Sequence, residues 1–274
     1  MSSEAQRRLH LLRSLIRLVG GAVILYGAVI GLLWWKQESL LFHPQVLPAE
    51  YRFAVGSDVK EVWLDVPGAR LNALHLQQPS PRGLVFFLHG NGGSLQDWFV
   101  NLNFYRQANF DLYMLDYRGY GKSTGRIESE AQLHADVLAA WDSVAPRYAG
   151  LRRVVFGRSL GTGLAAHLGV QVQPDLTLLV SPYLSMEALA TEHYPWVPRQ
   201  VLRYPLRTDL SLPLLKGAVM LVHGADDTLI EPSHSQRLVT LKPGSSLTII
   251  SGAAHNDLQR WPAYSQALAA ALAP

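Results

Sequence analysis

The sequence predicts an α/β fold in which a mostly parallel central sheet is covered by helices on both faces, preceded by one N-terminal transmembrane helix and carrying a short cap insertion. Three observations predict it. Short apolar runs alternate with segments of helical period, one serine sits between two glycines where such a run meets a helical segment, and an uncharged stretch near the N-terminus is long enough to cross a bilayer. The chain has 274 residues, 49% hydrophobic and 16% charged, which suits one substantial core better than two independent ones.

In chain order, residues 1–17 form a basic tail. Arg7, Arg8, Arg13 and Arg17 stand against Glu4 and account for the whole formal charge of +3. The remainder is neutral, so no basic face for nucleic acid is expected. Residues 18–35 are uncharged and would reach about 27 Å as a helix, close to a bilayer core. Trp34 and Trp35 suit one interface, Arg17 can snorkel to the other, and the arginines should keep the N-terminus cytoplasmic. The rest of the chain is then expected on the outer, periplasmic or lumenal side. A cleaved signal peptide is disfavoured, because the run is too long and no small-x-small site follows Trp35.

Residues 36–60 contain Pro44 and Pro48 and lack a period, as a connector would; His43 is read as a packing or surface residue. The domain proper is expected over 61–274. Val62, Leu64 and Val66 alternate, and after Pro67-Gly68 so do Leu71, Ala73, Leu74 and Leu76 with one slip, which predicts an antiparallel hairpin. Residues 84–88 form an apolar run feeding His89-Gly90-Asn91-Gly92-Gly93-Ser94. This loop lacks the lysine and spacing of a phosphate-binding P-loop. Residues 112–115 predict another strand, followed by Asp116-Tyr117-Arg118-Gly119-Tyr120-Gly121, where Asp116 and Arg118 are expected to form a structural ion pair. Leu133, Val137, Trp141 and Val144 fall on one helical face, with His134 off it and solvated.

Residues 153–156 suit a buried strand, and Leu160, Leu164 and Leu168 a helix. Between them Ser159, flanked by Gly157 and Gly161, can occupy a strained strand-to-helix elbow. Further buried strands are expected at 176–180, 218–222 and 247–250. The stretch 182–217 is an aromatic insertion expected to stand over Ser159, with Tyr183 and Trp196 as candidate substrate-pocket residues.

A serine hydroxyl is a poor nucleophile unless a base takes its proton and a third group orients that base. Strand 218–222 runs into His223-Gly224-Ala225-Asp226-Asp227, and strand 247–250 into Ser251-Gly252-Ala253-Ala254-His255. In a parallel sheet both loops open on the edge that carries Ser159. No histidine spacing matches a metal motif, and the chain has no cysteine, so neither a cofactor nor a metal is expected.

Together, Gly157-Arg158-Ser159-Leu160-Gly161, the His89-Gly90-Asn91 loop, Asp116 to Gly121 and the anchor layout resemble the α/β-hydrolases. More narrowly they resemble the single-pass α/β-hydrolase-domain proteins often described as serine aminopeptidase-like or dienelactone-hydrolase-like. The resemblance implies Ser159 as nucleophile, His255 as general base and one aspartate of the Asp226-Asp227 pair as its orienter. Asp227 has the family's spacing from Gly224, while Asp226 caps the turn; the alternative acid position after strand 176–180 holds Ser181. It also implies an oxyanion hole from the backbone N–H groups of Leu160 and Asn91, with His89 packed behind that loop. The expected activity is cofactor-free hydrolysis of an ester, thioester or amide, with a carboxylic ester of a small or lipid-like acyl group favoured. The alternative is an inactive membrane-anchored binding or scaffold protein that keeps the fold.

Overall fold

The protein is described from a computed structural model covering residues 3–273. Helix α1, Ser3–Trp35, is among the described residues the one long and apolar enough to cross a membrane. It runs unbroken through the basic tail as well as the apolar run, about 50 Å in all. A short helix α2, Gln37–Leu41, follows.

The eight-stranded sheet comprises β1 (Val59–Val66), β2 (Ala69–Leu76), β3 (Gly83–Leu88), β4 (Phe110–Leu115), β5 (Arg152–Arg158), β6 (Leu176–Val180), β7 (Ala218–Gly224) and β8 (Ser246–Ile250). Its order is β8-β7-β6-β5-β3-β4-β2-β1. The β1–β2 hairpin and the β2–β4 pair are antiparallel, and every other neighbour is parallel. All eight strands were expected within a few residues of these bounds, because strands buried on both faces read as near-continuous apolar runs.

Helices cover both faces. Leu133, Val137, Trp141 and Val144 of α3 (Glu130–Val144) and Leu160, Leu164 and Leu168 of α4 (Leu160–Val172) join Val155 in one apolar cluster. Val154 and Phe156 point the other way, into a second cluster with Tyr105 and with Leu268 and Leu272 of the C-terminal helix, Pro262–Leu272. The alternation of β5 thus feeds two layers from one strand. The insertion after β6 contributes α5, Met186–His193, a short helical turn, Thr208–Ser211, and two 3₁₀ turns, Arg199–Val201 and Leu212–Leu214.

Two expectations are corrected. Arg118 pairs with Asp136 of α3 through two hydrogen bonds of 2.6 and 2.8 Å, not with Asp116, because both residues lie beyond the end of β4 at Leu115, in a turn where strand geometry no longer sets side-chain direction. Asp116 instead accepts the Leu95 N–H and lies 3.5 Å from His89. His134 is mostly buried rather than solvated, its ring stacked 3.7 Å from that of His167.

The Arg118–Asp136 pair is buried on both sides, so removing one partner strands a charge. Asp136→Ala should lower unfolding stability in detergent by about 3–5 kcal/mol. Removing the exposed Arg126–Glu128 pair through Arg126→Ala should cost less than about 1 kcal/mol. Equal effects of the two substitutions would show that the buried pair contributes nothing beyond a surface contact.

Candidate active site

The elbow is built by close approach. A Cβ on Gly161 would lie 2.1 Å from the Leu88 carbonyl oxygen, and one on Gly157 would lie 2.5 Å from that of Gly161. Neither glycine has a positive φ; they are needed for space, so that the first turn of α4 can rest on β3 and β5. The strained residue is Ser159 itself, at φ 49° and ψ −119°, in a region that L side chains rarely adopt. Its N–H is tied to the Val180 carbonyl, 2.9 Å away. The hydroxyl therefore stands on the crest of the sheet, at the N-terminus of a 13-residue helix whose dipole favours negative charge there.

His255 Nε2 lies 3.0 Å from Ser159 Oγ, and its Nδ1 lies 2.7 Å from Asp227 Oδ2. The three side chains come from the loops after β5, β7 and β8, on one edge of the sheet, as their sequence order suggested. Asp227 is buried. Burial disfavours its charge, but hydrogen bonds from His223 and His255 and from the Ile230 N–H outweigh that cost and hold the carboxyl well below the usual carboxylate range. With Nδ1–H donated to this carboxylate, Nε2 is left to accept the serine proton. Asp226 is not part of the constellation; its N–H donates to the Ala253 carbonyl.

His223, which the sequence pattern assigns no role, has its Nε2 3.2 Å from the same Asp227 oxygen and 2.8 Å from the Ile230 carbonyl. Its Nδ1 meets Ser235 Oγ at 2.6 Å. No sequence pattern signals this contact, since His223 lies on a strand and only the turn after Gly224 folds Asp227 back beside it.

Among the described residues, the backbone N–H groups of Leu160 and Asn91 find no acceptor. The loop that carries Asn91 is held from two sides. His89 Nδ1 is 2.7 Å from the Gly90 carbonyl, with its ring between Trp98 and Tyr117. The Asn91 side chain donates to the Leu41 carbonyl and accepts from the His43 N–H and Tyr120 Oη. Residues 36–60 are thus more than a connector: His43 and Pro44 form a short parallel ladder with Gly92 and Gly93.

Tyr183 is corrected. It is fully buried beneath α4 with its hydroxyl on the Leu160 carbonyl, so it supports the elbow from behind and lines no pocket. Trp196 is half exposed on the insertion, its carbonyl bound by Tyr26. The open space beside the elbow lies elsewhere: a groove of about 960 Å³ lined by Gly92, Trp98, Asn101, Arg158, Asn256 and Tyr264, among others. Among the described residues no cluster of side chains could hold a metal ion.

The three side chains follow one another along the chain in the order serine, acid, histidine, on a sheet of α/β-hydrolase topology. The model of the family described as serine aminopeptidase, S33, matches residues 79–208. The human alpha/beta hydrolase domain-containing protein 17B is 27% identical over 198 residues, which cover 69% of this chain and 66% of the relative. An esterase of Pyrococcus furiosus superposes with a TM-score of 0.65 at 16% identity, covering 84% of this chain and 96% of that one. A bacterial membrane phospholipase A superposes with a TM-score of 0.61 at 15% identity and covers 97% of both chains. The chain has the α/β-hydrolase fold, and its residues 79–208 resemble the serine aminopeptidase, S33, family.

The strain at Ser159 predicts a stability difference that does not depend on turnover. Ser159→Gly should be more stable than Ser159→Ala by about 1 kcal/mol, the relief of a costly backbone conformation less the extra unfolded-state freedom of glycine. Thermal unfolding of the two variants measures it. Alanine equal to or above glycine would mean that the elbow stores no strain.

Proposed function

We propose that the protein is a membrane-anchored serine hydrolase that cleaves a carboxylic ester of a lipid-like acyl substrate through an acyl-enzyme. The observation that carries this reading is the 3.0 Å contact between Ser159 Oγ and His255 Nε2, with Asp227 2.7 Å behind the imidazole. Ser159 attacks the substrate carbonyl while His255 takes its proton. Asp227 fixes the imidazole and balances the charge it gains.

The oxyanion of the tetrahedral intermediate is received by the N–H groups of Leu160 and Asn91, each worth on the order of 3 kcal/mol of transition-state stabilisation. His255 returns the proton to the leaving alcohol, and the same steps run with water to free the acid. No step calls for a metal or an organic cofactor.

Residues 18–35 serve as the anchor, with the N-terminal arginines on the cytoplasmic side and the catalytic domain on the other. The esterase and phospholipase neighbours lend the ester reading its weight over peptide cleavage, and the phospholipase superposes over a span that includes α1.

A fluorescent fluorophosphonate should label the wild type and not Ser159→Ala, and Asp227→Asn should lower kcat for p-nitrophenyl esters by about 10⁴-fold. Rates should rise from acetate towards longer acyl chains. Labelling that survives Ser159→Ala, or a wild type that does not label, would favour the scaffold reading; activity confined to aminoacyl anilides would favour a peptidase.

A further inference from the structure

The anchor helix meets the catalytic domain well inside the apolar run. Tyr26 Oη donates to the Trp196 carbonyl at 2.9 Å, and Tyr26 lies nine positions before Trp35, about 14 Å along the helix axis. The foot of the helix is fastened separately. Gln37 donates to the Val201 carbonyl and accepts from the Arg203 N–H, while Glu38 pairs with Arg203 at 2.6 Å and accepts from Tyr204 Oη. Two attachments so far apart on one rod set the height of the insertion along it. A span that places 18–35 in hydrocarbon carries the tip of the insertion in with it.

The tip is suited to that place. Tyr194 is 57% exposed and Trp196 51%, and the run is Tyr-Pro-Trp-Val-Pro. Pro195 and Pro198 have no N–H to satisfy, the N–H groups of Tyr194 and Val197 are bonded within the insertion, and the Trp196 carbonyl is taken by Tyr26. Of the backbone N–H groups at the tip, that of Trp196 alone has no protein acceptor among the described residues, so most of the segment's donors are already satisfied on entry into a low-dielectric layer. Exposed tyrosine and tryptophan favour its boundary. The charges stand back from the tip: Arg199 pairs with Glu187 at 3.2 Å. The tip is joined to the catalytic loop: His193 Nε2 lies 3.2 Å from the carbonyl of Leu229, an exposed residue whose N–H donates to Asp227.

We infer that residues 194–197 form a second, non-spanning membrane element that carries the catalytic edge into the adjoining leaflet, so that the substrate is an acyl lipid resident in the bilayer. This rests on the anchor reading of 18–35. It is an interaction with lipid as a surface, additional to the single span.

Because the chain has no cysteine, single-cysteine variants of the full-length protein can carry an environment-sensitive NBD probe in phosphatidylcholine vesicles with brominated acyl chains. Val23→Cys marks the span, Trp196→Cys and Leu229→Cys the tip and its continuation, and Leu241→Cys the opposite edge of the sheet. Only variants that keep the parent melting temperature are compared.

Quenching and a blue shift at positions 23 and 196, weaker quenching at 229 and none at 241 is the expected pattern. Quenching at 23 with 196 and 229 as silent as 241 would overturn the inference and leave the anchor standing. Silence at position 23 would remove the anchor reading and the inference with it.

Discussion

The structure depends on how closely the first turn of α4 lies on the sheet. With Gly161 against the Leu88 carbonyl and Gly157 against Gly161, there is no room for a Cβ at either position. The single residue between strand and helix has to take up the whole change of direction. That residue is Ser159, and its positive φ turns the hydroxyl outward while leaving the Leu160 N–H uncommitted. The Ser159 hydroxyl, the helix dipole and the free Leu160 N–H, the proposed nucleophile and oxyanion donor among them, are therefore placed by one packing constraint. Tyr183 supports it from below through the Leu160 carbonyl.

Much of this was legible in the sequence, because parallel strands buried on both faces leave apolar runs and because the glycine-serine-glycine spacing marks the elbow. The order of Ser159, Asp227 and His255 along the chain was equally readable once the strands were placed. What could not be read were partners chosen by side-chain direction. Arg118 meets Asp136 rather than Asp116, and His223 reaches Asp227 only because of the turn that follows Gly224. Tyr183 looked like a pocket residue from its place after β6, but it points under α4. A sequence pattern gives the position of a residue in an element and leaves its rotamer open.

The stretch between anchor and domain carried the least sequence signal and turned out to matter most for the loop that holds Asn91. One amide side chain ties the Leu41 carbonyl, the His43 N–H and the Tyr120 hydroxyl together. On its other side α2 holds the insertion through Gln37 and Glu38. The segment leaving α1 thus touches both the loop that carries Asn91 and the insertion, which links the placement of α1 to the geometry around Ser159 without any long-range pathway.

The central claim, covalent catalysis at Ser159, is tested most directly by trapping the intermediate. The protein is mixed with p-nitrophenyl butyrate, quenched in acid within the first turnover and mapped by mass spectrometry. The account predicts a butyryl adduct on the peptide that carries Ser159, appearing with a stoichiometric burst of nitrophenol. Nitrophenol release with no adduct, or with the adduct on another residue, would contradict it.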